Sequence, residues 1–206
     1  MKRQGLILIG GGGHCKACID VIEAENRFRI VGVVDVKGKV GRKVLDYEII
    51  GYDDDLPTLA ESYGNFLVTI GQIKSPAVRI SRFEFLKRVG AKLPVIISPN
   101  AYVSKHAVIG EGTIIMHRAV INAGARVGRN CIINTGAIIE HDAIIGDHCH
   151  VSTSAVINGG VRVGDRTFFG SNAVAKEAIE IGEDCIVGAG VSVMKSLKSG
   201  SLSKNR

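Results

Sequence analysis

Tryptophan is absent from this 206-residue chain, aromatic residues make up only 5% of it, and there are four prolines. A nucleic-acid surface interleaves clustered basic groups with aromatics, and this composition offers neither. No apolar run nears the roughly 18 residues that cross a bilayer. Lys2 and Arg3 precede only the apolar stretch Leu6 to Ile9, too short for the core of a secretion signal. Both absences lead us to expect a cytoplasmic protein with no membrane span and no nucleic-acid partner. The five cysteines are odd in number and scattered. That argues against a disulfide framework and suits a reducing compartment.

What is present is aliphatic and rich in turns. Apolar residues reach 46%, enough for a packed core, and the 26 glycines lie well above the roughly 7% norm. The net charge of +6 is uneven: residues 1–90 carry 14 basic and 11 acidic groups, residues 91–194 carry 8 and 9, and the last twelve carry 4 and none.

A period of six runs from Ile97 to Val193. Of its seventeen positions, fifteen are Ile or Val, and the phase never slips. Two residues before each, the side chain is Ala, Cys or Thr at thirteen of the seventeen, with Cys131, Cys149 and Cys185 among them. Gly or Asn often follows the aliphatic residue, as at Gly110, Gly128, Asn134, Gly146, Asn158 and Gly164. An α-helix cannot hold a strict six-residue repeat on one stripe, since 3.6 does not divide six. Short strands that turn a corner every six residues can, with the aliphatic residue inward and the Gly or Asn taking a positive φ at the turn. The repeat predicts a parallel β-solenoid.

Before it the pattern changes to strands alternating with helices, the mark of a small parallel α/β domain. Strands are expected at Leu6 to Ile9, Ile30 to Val34, Phe66 to Ile70 and Pro94 to Ile97, with helices at Ala17 to Glu25 and Ser75 to Val89. Residues 36–55 read as a loop with one short strand. The expected division is an α/β domain over 1–92, the solenoid over 93–196, and a basic polar tail over 197–206.

Four glycines, Gly10 to Gly13, sit between the first strand and helix, where backbone N–H groups can meet an anion. Asp35 ends the second strand, where a Rossmann-like fold would hold a ribose hydroxyl. The third fingerprint glycine is replaced by Cys15, so a nicotinamide cofactor is disfavoured, and a tight turn needing glycine for shape alone has the same pattern. Cys15 and Cys18 form a Cys-x-x-Cys at a helix start, where the dipole would lower a thiol pKa; no second pair supplies a zinc site. His106, His117, His141, His148 and His150 all avoid the inward positions. No three of them are identifiable as converging ligands, so no metal is expected. Glu140-His141-Asp142 places an imidazole between carboxylates, an arrangement suited to a general base. A surface histidine with charged neighbours has the same sequence.

Taken together, Gly10 to His14, Asp35, Ile70-Gly71, Asn134-Thr135 and Ile139 to Asp142 resemble the NeuD/PglD-type sugar acyltransferases, over nearly the whole chain. The resemblance implies a left-handed β-helix of hexapeptide repeats, a homotrimer, and acetyl-CoA lying between adjacent solenoids. It implies His141 as general base with Asp142 beside it, leaving Glu140 as the alternative partner. His150, Gly159, Ser171 and Ala189 match acetyl-CoA contacts. Gly12, Gly13, His14, Asp35, Gly71 and Asn134 match the sugar-substrate pocket. Val36 stands where nucleotide-sugar members often carry a second polar residue, and the Gly-x-Pro-Ala ending of many members is missing. The expected activity is acetyl transfer to the amino group of a nucleotide-linked amino sugar. Sialic-acid O-acetylation is the alternative within the class; a sugar-binding regulator without chemistry and a trimeric scaffold are the alternatives outside it.

Overall fold

The computed structural model describes residues 3–204. Its N-terminal half is a five-stranded sheet built from β1 (Gln4–Ile9), β2 (Phe28–Val34), β3 (Lys43–Val44), β4 (Tyr47–Gly51) and β5 (Phe66–Val68), with helices α1 (Gly13–Glu25), α2 (Leu56–Tyr63) and α3 (Ala77–Arg88). The order is β3-β4-β2-β1-β5, parallel except for the β3–β4 pair. The chain leaves β1 and places β2 on one side and β5 on the other, so a crevice opens at the carboxyl end of β1, where α/β sheets bind ligands.

Two elements here escaped the sequence. Residues 36–55 contain two strands, β3 and β4, and the next segment is α2, with a proline in its first turn. A two-residue strand is too short to show a period, and α2, although Leu56, Leu59, Ala60 and Tyr63 recur at helical spacing, spans only eight residues. Helix α1 also starts four residues earlier than expected, at Gly13, with Gly12 as an N-cap that makes no side-chain bond. Its first N–H groups are therefore left open.

From Ile96 onward the chain winds as a three-sided prism. Two-residue strands pair in parallel with strands eighteen residues further on. One face starts at Ile96–Ile97 and continues through His150–Val151 to Leu202–Ser203; a second runs from Tyr102–Val103 to Ser192–Val193; a third runs from Val108–Ile109 to Glu180–Ile181. The inward aliphatic residues stack into one core with the small residues, including Cys131, Cys149 and Cys185.

The turn chemistry differs from expectation. Positive φ does not fall on the Gly or Asn that follows the aliphatic residue but two residues later, at Gly112, Arg118, Gly124, Asn130, Gly136, Asp142 and onward at the same spacing to Gly190. The glycines at 110, 128, 146 and 164 serve closeness instead. A Cβ on Gly146 would meet Asp165 Oδ1 at 2.3 Å and Asp165 N at 2.7 Å.

The expected polar tail is partly built in. Leu197 bonds to Glu180 and Gly182, and Leu202–Ser203 pairs with Ile186–Val187, so the end of the chain covers the otherwise open ladder of the last full coil. Residues 205 and 206 lie outside the described residues.

The two halves share a core. Ile96, Ile114 and Ile132 point outward from the first face, yet each is fully buried against the α/β half, in one cluster with Cys15, Cys18 and Ile19 of α1.

Candidate active site

The crevice at the end of β1 is a cavity of about 450 Å³ lined by Gly10 to His14, Asp35, Lys39, Thr69, Gly71 and Arg82, among others. Gly10 has φ +103°, and a Cβ there would strike Ile70 at 2.4 Å, so the loop must pass flat against the segment that follows β5. Gly12 and Gly13 face open space instead. Asp35 does not await a ligand bare. Its Oδ2 accepts from Gly11 N at 3.1 Å and Lys39 Nζ at 2.9 Å, and Oδ1 accepts from Val36 N at 2.7 Å. Partial burial alone would raise its pKa, but these bonds outweigh it and hold the carboxyl below its usual range.

A second cavity of about 450 Å³ adjoins the first through His14 and Gly71, which line both. Its other walls are Ala17, Gln72, Ile73, Asn134 and His150, so it joins α1 to the solenoid. His150 projects outward from the first face and is 7% exposed. Its Nδ1 lies 2.6 Å from Gln72 O and its Nε2 3.2 Å from Asn134 Nδ2. A carbonyl only accepts and the amide nitrogen only donates. The ring is therefore a neutral Nδ1–H tautomer. Burial, aided by the Arg79 charge, lowers its pKa to about 4. His14, 6.5 Å away centroid to centroid, is lowered to about 3 by desolvation, with Arg79 and His150 adding to it. The Cys18 thiol lies 3.4 Å from His14 Nε2. The expected activation of the Cys15–Cys18 pair by the helix dipole is not found: burial pushes Cys15 up to about 11 and Cys18 higher still. Both stay thiols, Cys18 in contact with His14.

His141 occupies a different edge of the prism, the corner between the second and third faces. It is exposed on the single chain. Its Nδ1 lies 3.0 Å from Asp142 Oδ2, which leaves Nε2 free to accept. Glycines on the flanking coils make the room: a Cβ on Gly159 would come within 2.6 Å of His141 Nε2, and one on Gly124 within 2.4 Å of Asp142 Oδ1. Glu140 is occupied elsewhere, accepting from Asn122 Nδ2 at 2.8 Å. Gly159 thus sits with His141. Ser171, bonded to Ser152 at 2.9 Å, and Ala189 lie with Asn134 along the corner between the first and second faces. Within one chain, then, the structure brings Gly12, Gly13, His14, Asp35, Gly71, Asn134 and His150 together and leaves His141 and Asp142 apart from them. Among the described residues no three His, Cys, Asp or Glu side chains form a metal-holding group, and no helix is long and apolar enough to cross a membrane.

Sequence reasoning missed Arg79, Arg82, Lys39 and Gln72. Lys39 stands four residues after Asp35, a weak signal for an ion pair. Arg79 and Arg82 look like the polar face of an ordinary helix, and Gln72 acts through its backbone.

A β-helix of six-residue repeats with an α/β crevice opening onto it places the chain among the hexapeptide-repeat transferases. Residues 5–84 match the PglD N-terminal domain family, 106–141, 124–159 and 142–176 match the bacterial transferase hexapeptide, and 160–195 match the hexapeptide repeat of succinyl-transferase. Perosamine N-acetyltransferase from Caulobacter crescentus, solved with CoA and GDP-perosamine, is 35% identical over 96% of this chain and 92% of that one, with a TM-score of 0.89. The acetyltransferase domain of PglB from Neisseria gonorrhoeae, solved with acetyl coenzyme A, is 28% identical over 98% and 96%, with a TM-score of 0.87. UDP-N-acetylbacillosamine N-acetyltransferase of Bacillus subtilis is 37% identical over 115 residues; the match spans 55% of this chain and about half, 51%, of that relative. The chain belongs to the PglD-type family of hexapeptide sugar acyltransferases, and its β-helix is of that family's left-handed kind.

Proposed function

We propose that this protein transfers the acetyl group of acetyl-CoA to the amino group of a nucleotide-linked amino sugar, and that it works as a homotrimer. The observation that carries the reading is the pair of joined cavities. The first offers an open helix N-terminus for phosphate, and the second runs onto the solenoid surface. Together they suit a nucleoside diphosphate sugar better than a lone sialic acid, which would leave one of them empty. The Caulobacter relative, which holds CoA and GDP-perosamine, supports the same assignment.

In one chain His141 is remote from those cavities, so the reaction needs a neighbour. Val120, Ile138, Val156 and Val174 form an outward apolar stripe on the second face, only partly buried in the single chain. Packing that stripe against another protomer brings the His141 corner to a neighbour's cavities, with CoA held along the seam by Gly159, Ser171, Ala189 and His150. The sugar amine attacks the thioester carbonyl while His141 Nε2 takes its proton, and the tetrahedral intermediate collapses to amide and CoA thiolate, which recovers a proton. Asp142 holds the ring in the tautomer that leaves Nε2 basic. Such a base contributes roughly 10²–10⁴ in rate. No covalent enzyme intermediate enters the scheme.

The test is CoA release from acetyl-CoA across a panel of nucleotide amino sugars, free amino sugars and sialic acids. A nucleotide amino sugar should be the strongest accelerator. Preference for sialic acid moves the reaction to O-acetylation, and sugar binding without CoA release removes the catalytic reading altogether.

A further inference from the structure

Arg79 lies on α3 at the junction of the two halves, and it is 1% exposed. Among the described residues no carboxylate pairs with it. Its Nη1 donates to Val68 O at 2.9 Å and Ile70 O at 2.7 Å, and its Nη2 donates to Asn130 O at 2.9 Å and Asn130 Oδ1 at 2.7 Å. Its Nε–H is buried without a partner. An apolar side chain would fill this place without burying a charge. Only a rigid fork of donors, however, reaches the end of β5 and a solenoid corner at once.

What the fork holds is the short segment 70–72. Ile70 packs on Gly10, Gly71 lines both cavities, and Gln72 O accepts from His150 Nδ1. Asn130 on the far side passes the constraint on, its Nδ2 bonding His148 Nδ1 at 3.0 Å, with the His148 ring edge-on to Phe83. We propose that Arg79 is a positioning residue that pins segment 70–72 to the coil, so that the Gln72 carbonyl fixes the orientation and tautomer of His150 in the wall of the second cavity. The inference rests on the reading of those cavities as the nucleotide-sugar site with His150 at the CoA seam, but its test does not require turnover.

Lysine at this position keeps the charge yet has one nitrogen, which cannot reach both sides. In ¹⁵N spectra of histidine-labelled protein, wild-type His150 should show a single Nδ1–H tautomer at neutral pH. In Arg79→Lys that signature should give way to a mixture, and CoA, titrated alone, should bind at least tenfold more weakly. Asn130→Gly, which keeps the positive φ of that corner and removes one acceptor, is the milder second variant and should shift both readouts the same way to a smaller extent. A role confined to stability would lower the melting temperature and leave the tautomer untouched. A folded variant of either kind that retains the wild-type His150 spectrum, or binds CoA within twofold of wild type, overturns the proposal. A wild-type protein that binds CoA but acetylates no sugar overturns the proposed function instead and leaves the Arg79 result standing.

Discussion

In the α/β half, Gly12 and Gly13 face nothing within 4 Å, whereas in the β-helix Gly110, Gly128, Gly146 and Gly164 face the backbone of the next coil at 2.6 to 3.0 Å. The same residue type is used for opposite ends. In the first case the missing Cβ leaves space for something that is not part of the chain. In the second it lets the chain approach itself, eighteen residues on, so that the coils can stack. One kind of glycine faces open space at the cavity; the other faces the backbone of the next coil. The chemistry is divided in the same way: the cavities belong to the junction with the α/β half, and the candidate base stands on a bare corner of the solenoid.

The largest expected effect tests that division of labour. His141→Ala should slow single-turnover acetyl transfer by roughly 10²–10⁴ while the melting temperature stays put, because the exposed ring buries little. Near-normal transfer would remove His141 from the mechanism.

Next comes the contrast between the glycines. Gly146→Ala should destabilise the fold by about 1–3 kcal/mol in urea unfolding, since its methyl must displace backbone of the next coil. Gly12→Ala should cost little stability and act on ligand affinity. Equal effects on stability would abolish the contrast.

The seam between the halves answers to pH. His14, His148 and His150 all have folded pKa values below the ordinary 6.5, chiefly through burial, so the unfolded chain takes up their protons first. Their contribution is largest above about pH 6.5 and drains as pH falls, for His14 and His150 through the range toward about 3 and about 4, at about 1.4 kcal/mol per pH unit for each of those two imidazoles once the unfolded form is protonated. Urea unfolding at about pH 7 and about pH 5.5 isolates them, because carboxylates in the unfolded chain titrate mainly below that window. His14→Gln combined with His150→Gln should flatten the slope. An unchanged slope would mean these rings are not the groups that titrate.

The smallest effect belongs to the exposed ladder of charges on the solenoid. Arg166 bonds Asp184 at 2.9 Å and also pairs with Glu183. These partners are half open to solvent, so Arg166→Gln should change stability by about 1 kcal/mol or less, and by less still in high salt.

The β-helix was legible because its signal is periodic and long: a six-residue period whose phase never slips from Ile97 to Val193 fits a parallel solenoid and not a helix. The glycine loop and Asp35 were legible because strand, loop and helix follow one another locally. The short β3 and α2 were not, since two residues carry no period and the stripe of α2 lasts barely two turns. The turn rule was misread for a physical reason. Both the close-approach site and the positive-φ site occur once in each hexad, and spacing alone cannot tell a glycine that avoids a contact from a residue that adopts a left-handed backbone, as Asp142 and Asn130 do.

By itself the sequence determined what local order and periodicity encode: a parallel α/β unit, a prism of six-residue repeats, a glycine loop at a helix start and an imidazole beside a carboxylate. Tertiary structure alone decided that Asn134 and His150 share a cavity with His14 while His141 stands on another edge, and that a buried Arg79 ties the two halves together. Those relations join residues dozens of positions apart. They depend on how many coils separate two corners and on which face the first domain covers, and no local preference in the chain records either.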